Sequence, residues 1–158
     1  MRKRVIGPVQ EAPHYGEEKW LNLERLADVE FSSEDAGHAI DAALLSGKGG
    51  DGWSAAQPGT QRIRICFKRP QPIRRIRLEF IERRVERTQE HVLRWLPEGG
   101  AGFQEIVRQQ WNFSPRGSTV QTQDHRVALV RAEVLELTIV PDIAHGPACA
   151  SLAKLQIA

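Results

Sequence analysis

The fold is decided by residues 61–80, which read QRIRICFKRPQPIRRIRLEF. Apolar residues alternate with charged or polar ones in both halves of this stretch: Ile63, Ile65 and Phe67, then Ile76, Leu78 and Phe80. A period of two places the apolar side chains on one face of an extended strand and the charged ones on the other. Pro70 and Pro72 interrupt the alternation, so the stretch predicts two consecutive half-buried strands.

The same alternation recurs on both sides of this stretch. It predicts further strands at Leu26–Ser33, Thr88–Leu96, Phe103–Phe113, Thr119–Val130, Leu135–Val140 and Ser151–Ile157. His38–Leu45 has a short helical pattern, and four glycines in residues 46–52 indicate a loop. Seven or eight strands without a β-α alternation predict an all-β antiparallel sandwich or jelly roll. Residues 1–19 are polar and predict an N-terminal arm, and residues 20–158 form the predicted domain.

The composition is that of a soluble globular protein. The chain has 158 residues, of which 41% are hydrophobic and 27% charged, enough to bury one core. The net charge is only +2, but residues 62–94 hold eleven basic residues against four acidic ones. Charge is therefore concentrated on the strands quoted above and on the loop that follows them.

The N-terminus, the lack of a long apolar stretch and the cysteines predict the compartment of the protein. The apolar run at the N-terminus stops after Val5-Ile6, too short for a secretion signal, and no stretch of roughly 18 apolar residues could span a bilayer. Only Cys66 and Cys149 are present, without a CxxC motif, which predicts free thiols in a reducing compartment. We therefore expect a cytoplasmic protein that does not insert into membranes.

Several motifs occur in a recognisable order. They are Phe31-Ser32-Ser33-Glu34, Ala39-Ile40-Asp41, Gly52-Trp53-Ser54-Ala55, Gln61–Phe67, Pro72–Leu78, Val92–Ile106 and Ala150–Leu155. In this order they resemble the discoidin, or coagulation factor type C, domain family of the galactose-binding-like superfamily. Residues 108–117, RQQWNFSPRG, are similar to a segment of bacterial members. The resemblance implies a galactose-binding-like β-sandwich whose relatives bind sugars, lipid head groups, proteins or nicked DNA.

The chain departs from that family at two points. Many members hold a structural calcium with an acidic residue of the last strand, because calcium prefers oxygen ligands. Here that position is Lys154, so we expect neither calcium nor any other metal or cofactor. Extracellular members also clamp their termini with a disulfide, but the N-terminal segment contains no cysteine that could pair with Cys149.

The sequence contains no recognisable catalytic constellation. The motifs GxSxG, HExxH, GxGxxG and GxxxxGK[ST] are absent, and the five histidines fall at unrelated spacings. Cys66 shares a strand face with Arg62 and Arg64, which could lower its pKa, but a spectator thiol is the simpler interpretation. We therefore predict a protein that is not an enzyme.

The arginines on the predicted strands allow two interpretations. As a functional surface, an outward basic sheet face would bind phosphate-bearing partners through guanidinium forks; its members are Arg62, Arg64, Arg75, Arg77 and Arg94. Alternatively these arginines pair with Glu79, Glu82, Glu86 and Glu90 and contribute only modest stability. Arg83, Arg84 and Arg87 lie in a loop, where they are either ligand contacts or solvated charges.

The tryptophans and the loops define a candidate ligand site. Trp53 and Trp111 could stack on a sugar or a base, although a core position is the more ordinary role, as it is for Trp20 and Trp95. If a ligand site exists, we expect a rim made by Lys48, Asp51, Arg83, Arg84, Asn112 and Arg116.

Two functions remain open at this point. The first is a carbohydrate-binding-like module that uses the loops at one end of the sandwich. The second is an intracellular domain that binds a protein or a nucleic acid through the arginine face, with binding that weakens steeply as salt rises. The sequence favours the first slightly and leaves the oligomeric state open.

Overall fold

A computed structural model describes Lys3, residues 19–47 and residues 50–158. The predicted arm, apart from Lys3 and Lys19, and the predicted ligand residue Lys48 lie outside the described residues. No helix in the described part of the chain is long and apolar enough to cross a membrane. The elements are α1 (Leu23–Leu26), β1 (Ala27–Phe31), α2 (Asp41–Leu44), β2 (Trp53–Pro58), β3 (Gln61–Ile81), β4 (Arg87–Pro97), β5 (Gln104–Phe113), β6 (Val120–Val140), β7 (Cys149–Leu152) and β8 (Lys154–Ile157).

Two long antiparallel strands, β3 and β6, organise the molecule. The first half of β3 pairs with β1 on one side and with the second half of β6 on the other, and β4 and β5 extend this layer in the order β1-β3-β6-β4-β5. The second half of β3 pairs with β8 and with the first half of β6. Register shifts between Cys66 and Arg75 separate the two halves.

The register shifts fold the long strands over, so that the two halves face each other. Phe80, in the second half of β3, lies with its ring centroid 5.1 Å from that of His91 in β4, although these strand segments do not pair. The result is an antiparallel sandwich of a five-stranded and a three-stranded layer, with β2 and β7 forming a separate two-stranded sheet. The predicted all-β sandwich is confirmed.

Three of the predicted strand boundaries are wrong. β3 continues through Pro70 and Pro72, because the ladder is already interrupted there and demands no amide hydrogen from proline. β6 likewise runs unbroken from Val120 to Val140 where two strands were predicted. The predicted last strand is divided at Ala153 into β7 and β8, which belong to different sheets, and strand β2 was not predicted.

A single cluster of buried apolar side chains extends from Leu23 to Ile157 and fills the space between the layers. Trp53 is fully buried in it and donates a hydrogen bond from Nε1 to the carbonyl of Ser33, at 2.9 Å. Gly52 precedes Trp53 with φ +86°, and a Cβ there would lie 2.3 Å from the carbonyl oxygen of Leu152. Only glycine therefore lets β2 approach the end of β7 this closely.

The other tryptophans occupy different environments. Trp95 and Trp111 are partly buried and contact the core cluster, close to their predicted role. Trp20 is not a core residue: it is half-buried, and the guanidinium carbon of Arg75 lies 4.7 Å from its ring centroid. A cation over an aromatic face is a favourable contact at the surface.

The interior also contains polar side chains. Arg87, 4% exposed at the start of β4, donates hydrogen bonds to Glu82, to Gln89 and to the carbonyl of Pro141. It is therefore neither of the two things that the sequence left open, an exposed ligand contact or a solvated loop charge. The ring nitrogens of His91, which is 1% exposed, have no partner in the structure. Burial lowers the pKa of His91 to about 4, so this histidine is neutral at physiological pH.

Candidate functional site

A polar groove of about 670 Å³ lies at the end of the sandwich where the loop after β3 meets the β2-β7 sheet. Its volume is in the range of small-molecule sites. It is lined by His38, Gly50, Asp51, Ser54, Glu79, Ile81, Glu82, Arg83, Arg84, Cys149, Ser151, Ala153 and Lys154. Three of the predicted ligand residues, Asp51, Arg83 and Arg84, therefore meet in one place.

Strand pairing explains why distant parts of the sequence form this groove. Ser54 of β2 lies opposite Ser151 of β7, and Glu79 of β3 lies opposite Lys154 of β8. The amide of Ala153 donates to the carbonyl of Glu79 at 2.9 Å, which joins the end of β3 to the turn between β7 and β8. Backbone pairing thus holds these segments of the groove together, and the exposed Arg83 and Arg84 of the loop after β3 also line it.

A histidine and an aspartate lie beside one another at one side of the groove. His38 Nδ1 is 2.8 Å from Asp35 Oδ2, and this hydrogen bond lowers the pKa of Asp35. The amide of Ser54 bonds to the carbonyl of His38 at 3.2 Å and fixes the segment against β2. With Nδ1 engaged by Asp35, Nε2 is left to exchange hydrogen bonds with a ligand or with water.

The loop between β3 and β4 holds the rim arginines in place. Glu82 Oε1 accepts a hydrogen bond from the buried Arg87 Nε at 2.8 Å, and Glu82 Oε2 accepts one from the backbone amide of Arg84 at 3.3 Å. Arg83 and Arg84 are exposed, and within the described residues neither forms an ion pair. Their guanidinium groups are therefore available to a ligand.

Two predicted rim residues lie elsewhere. Asn112 borders a separate depression on β5 with Gln110, Trp111 and Ser118, and its Oδ1 accepts a hydrogen bond from the Thr88 hydroxyl at 2.6 Å. Arg116 is in the turn between β5 and β6. Among the described residues that line the groove there is no tryptophan, tyrosine or phenylalanine.

The predicted arginine face is divided between the two layers. Arg62, Arg64 and Arg94 meet on the outer face of the five-stranded layer, whereas Arg75 and Arg77 lie on the second half of β3, in the other layer. The register shifts in β3 cause this separation. Arg75 donates two hydrogen bonds to Asp124, at 2.8 and 2.5 Å, and they lower the pKa of that carboxyl group.

A single fully buried carboxylate, that of Glu136, pairs with two of the first three arginines and lies near the third. Glu136 accepts hydrogen bonds from Arg64 Nε at 2.8 Å and from Arg94 Nε and Nη2 at 2.8 and 2.5 Å, with Arg62 Nε 3.7 Å away. The guanidinium groups of Arg64 and Arg94 also lie about 5 Å from the ring centroid of Phe103. Burial raises the pKa of Glu136, but the arginine hydrogen bonds outweigh it and the pKa lies below its usual value.

The charges on this face alternate from strand to strand. Glu30, Arg64, Glu136, Arg94 and Glu105 form one row of facing residues across β1, β3, β6, β4 and β5. Opposite charges on neighbouring strands stabilise a sheet. Arg64 and Arg94 are thus paired within the sheet, with Glu136 and not with the glutamates that the sequence suggested.

The two cysteines are free thiols in different surroundings. Cys66 lies on the outer face of β3, and burial raises its pKa, with Glu30 raising it further against the opposite effect of Arg64. Arg64 does lower this pKa, but the net shift is upward, which fits the spectator thiol that the sequence favoured and not a reactive one. Cys149 is exposed at the groove.

The described residues contain no group of three or more histidine, cysteine and acidic side chains that could hold a metal ion. Lys154 is exposed on the groove wall. An ammonium group there would repel a cation, and that calcium does not bind stays a prediction.

Sequence reasoning missed several groove residues. They include His38 in the segment before α2, Glu79 of β3, and Cys149 and Ser151 of β7, so they come from three separate segments. Ser151 was assigned to a strand, but its place opposite Ser54 depends on the β2-β7 pairing. The helical pattern around His38 does not predict the hydrogen bond between His38 and Asp35, although their spacing of three residues is compatible with a turn.

Similar proteins are found by comparing structures and not by comparing sequences. No family model matches the sequence, and no curated protein matches it. The family 32 carbohydrate-binding module of Clostridium perfringens NanJ, solved with galactose, is 12% identical and has a TM-score of 0.61 over 87% of this chain and 96% of that one. A second C. perfringens module, CpGH89CBM32-5, solved with GalNAc-β-1,3-galactose, is 15% identical, with a TM-score of 0.62 over 88% and 99%.

An enzyme also contains this architecture. Allantoicase from Saccharomyces cerevisiae is 18% identical and has a TM-score of 0.57, over 83% of this chain but only 39% of the enzyme. The architecture is therefore compatible with both binding and catalytic proteins, and function must be argued from the site. At these identities the comparisons establish architecture alone: the chain has the galactose-binding-like β-sandwich fold.

Proposed function

We propose that this protein is a non-catalytic carbohydrate-binding module that holds its ligand in the polar groove. The observation that carries the proposal is the convergence of Asp51, Arg83 and Arg84 with the hydroxyl groups of Ser54 and Ser151. Carboxylates and hydroxyls accept hydrogen bonds from sugar hydroxyls, and guanidinium groups donate to them. A concave site of this size with convergent polar groups suits one or two sugar rings.

The outer sheet face is a weaker candidate. Binding to phosphates requires unpaired positive charge, but Arg64 and Arg94 are engaged by Glu136 and Arg75 by Asp124. The family resemblance and the sugar complexes of the similar structures support sugar binding as the function. That the protein works in the cytoplasm, in a reducing compartment, remains part of the proposal.

Binding to a glycan array, followed by calorimetry on the best ligand, tests the proposal. The Arg83→Ala/Arg84→Ala variant should lose binding, by roughly tenfold or more if two hydrogen bonds to the ligand are removed. The matched control is Arg69→Ala/Arg74→Ala, which removes two exposed arginines of β3 outside the groove. Equal affinity in both variants, or no binding to any glycan, would refute the proposal.

A further inference from the structure

We infer that the groove selects acidic sugars, with the carboxylate of a uronic acid held by Arg83 and Arg84. The inference rests on the proposed function and names the class of ligand. A guanidinium group matches a carboxylate with two parallel hydrogen bonds, which a neutral hydroxyl group does not offer. Adjacent arginines on one rim provide two such groups.

The distribution of charge in the groove supports an anionic ligand. Of the acidic side chains lining it, Glu82 is already paired with the buried Arg87. Glu79 lies directly opposite Lys154 in the β3-β8 register, so these two charges offset each other. Among the described residues that line the groove, Asp51 is then the one remaining carboxylate, and within the same residues neither Arg83 nor Arg84 has an ion-pair partner.

The kinds of side chain in the groove also favour an acidic sugar. Neutral sugars commonly gain affinity from an aromatic face, but none of the described groove residues is tryptophan, tyrosine or phenylalanine, and Trp53, the nearest in sequence, is fully buried. What the described groove residues do offer is hydrogen bonds, of which charge-assisted ones are about twice as strong as neutral ones. Ser54, Ser151 and Asp51 remain for the hydroxyl groups of the same ring.

Three soluble probes that differ in charge test the inference: an oligogalacturonate, its fully methyl-esterified form, and a neutral galacto-oligosaccharide. Calorimetry at low and high salt is performed on the full chain, on Arg83→Gln/Arg84→Gln, and on Arg69→Gln/Arg74→Gln as the charge-matched control outside the groove. Thermal unfolding of each variant verifies that it is folded.

The expected result is binding of the oligogalacturonate roughly tenfold or more tighter than binding of its methyl ester, weakened by salt and lost only in the Arg83→Gln/Arg84→Gln variant. Equal binding of the charged and esterified probes, or preference for the neutral one, would overturn the inference and leave the proposed function intact. Binding of the acidic probe that both double variants reduce equally would mark a nonspecific charge effect and overturn the inference as well. Failure of all three probes on a folded protein that also binds nothing on the array would overturn both.

Discussion

Because His91 is buried, we predict how much the free energy of unfolding decreases as the pH falls. The pKa of this histidine is lowered from 6.5 to about 4, mainly by burial and in part by the proximity of His125. Below pH 6.5, His91 takes up a proton in the unfolded chain but stays neutral in the folded one, so the free energy of unfolding decreases as the pH falls. Below about pH 4 His91 is protonated in both states, and its contribution no longer changes. The full loss is about 3 kcal/mol, of which about 2 kcal/mol is reached at pH 5.

Urea unfolding at pH 7 and at pH 5 measures this loss, because most carboxylates stay ionised over that interval. His91→Leu, similar in volume and without a titrating group, should lose about 2 kcal/mol less than the wild type between the two pH values. His145→Asn is the control, because it removes an imidazole from a turn with φ +58°, a conformation that asparagine tolerates. The account of the buried histidine is refuted if His91→Leu and the wild type lose equal stability on acidification.

Two further substitutions test the outer face and the strand approach beside the groove. Glu136→Gln should destabilise the fold by about 2 to 3 kcal/mol, because it weakens hydrogen bonds to two arginines at a fully buried position. The control Glu105→Gln, at an exposed position, should destabilise it by under about 0.5 kcal/mol. Equal losses of stability in urea unfolding would contradict the account of the buried carboxylate. Gly52→Ala should cost at least about 3 kcal/mol, since the new Cβ would meet the Leu152 backbone. Gly59→Ala, with φ +93° but open space around it, should cost only about 1 to 2 kcal/mol, and thermal unfolding distinguishes the two.

Local alternation of apolar and charged residues is enough to place most strands. β4 and β5 follow their predicted boundaries within one residue, because each is a single half-buried strand between turn residues. This alternation does not predict how the long strands β3 and β6 fold over. Their folding over depends on register shifts between paired strands distant in sequence, and no residue of β6 marks the corner.

The outer face shows why charge composition alone misleads. The excess of basic residues in positions 62–94 suggests an anion-binding surface, but Glu136, which pairs with Arg64 and Arg94, lies about 40 residues further along, in VLELTIV. Its burial between Arg64 and Arg94 follows from the β3-β6-β4 order, which is a tertiary property. A search for partners near in sequence therefore finds the wrong glutamates.

The candidate site is only partly visible in the sequence. Arg83 and Arg84 stand out because consecutive arginines between two strands are exposed, and Asp51 because it follows a glycine-rich loop. The placement of Asn112 on a different surface, and the arrival of Cys149 and Ser151 at the groove, depend on which strands pair at the end of the sandwich.

The most direct test of the central claim is to map the ligand on the protein. Backbone amide NMR shifts are recorded while the best glycan from the array is titrated into the labelled protein. The account predicts that the shifted amides cluster at residues 35–38, 51–54, 79–84 and 149–154, around the groove. Shifts centred instead on the outer sheet face around Glu136, or no saturable shifts with any glycan, would contradict it.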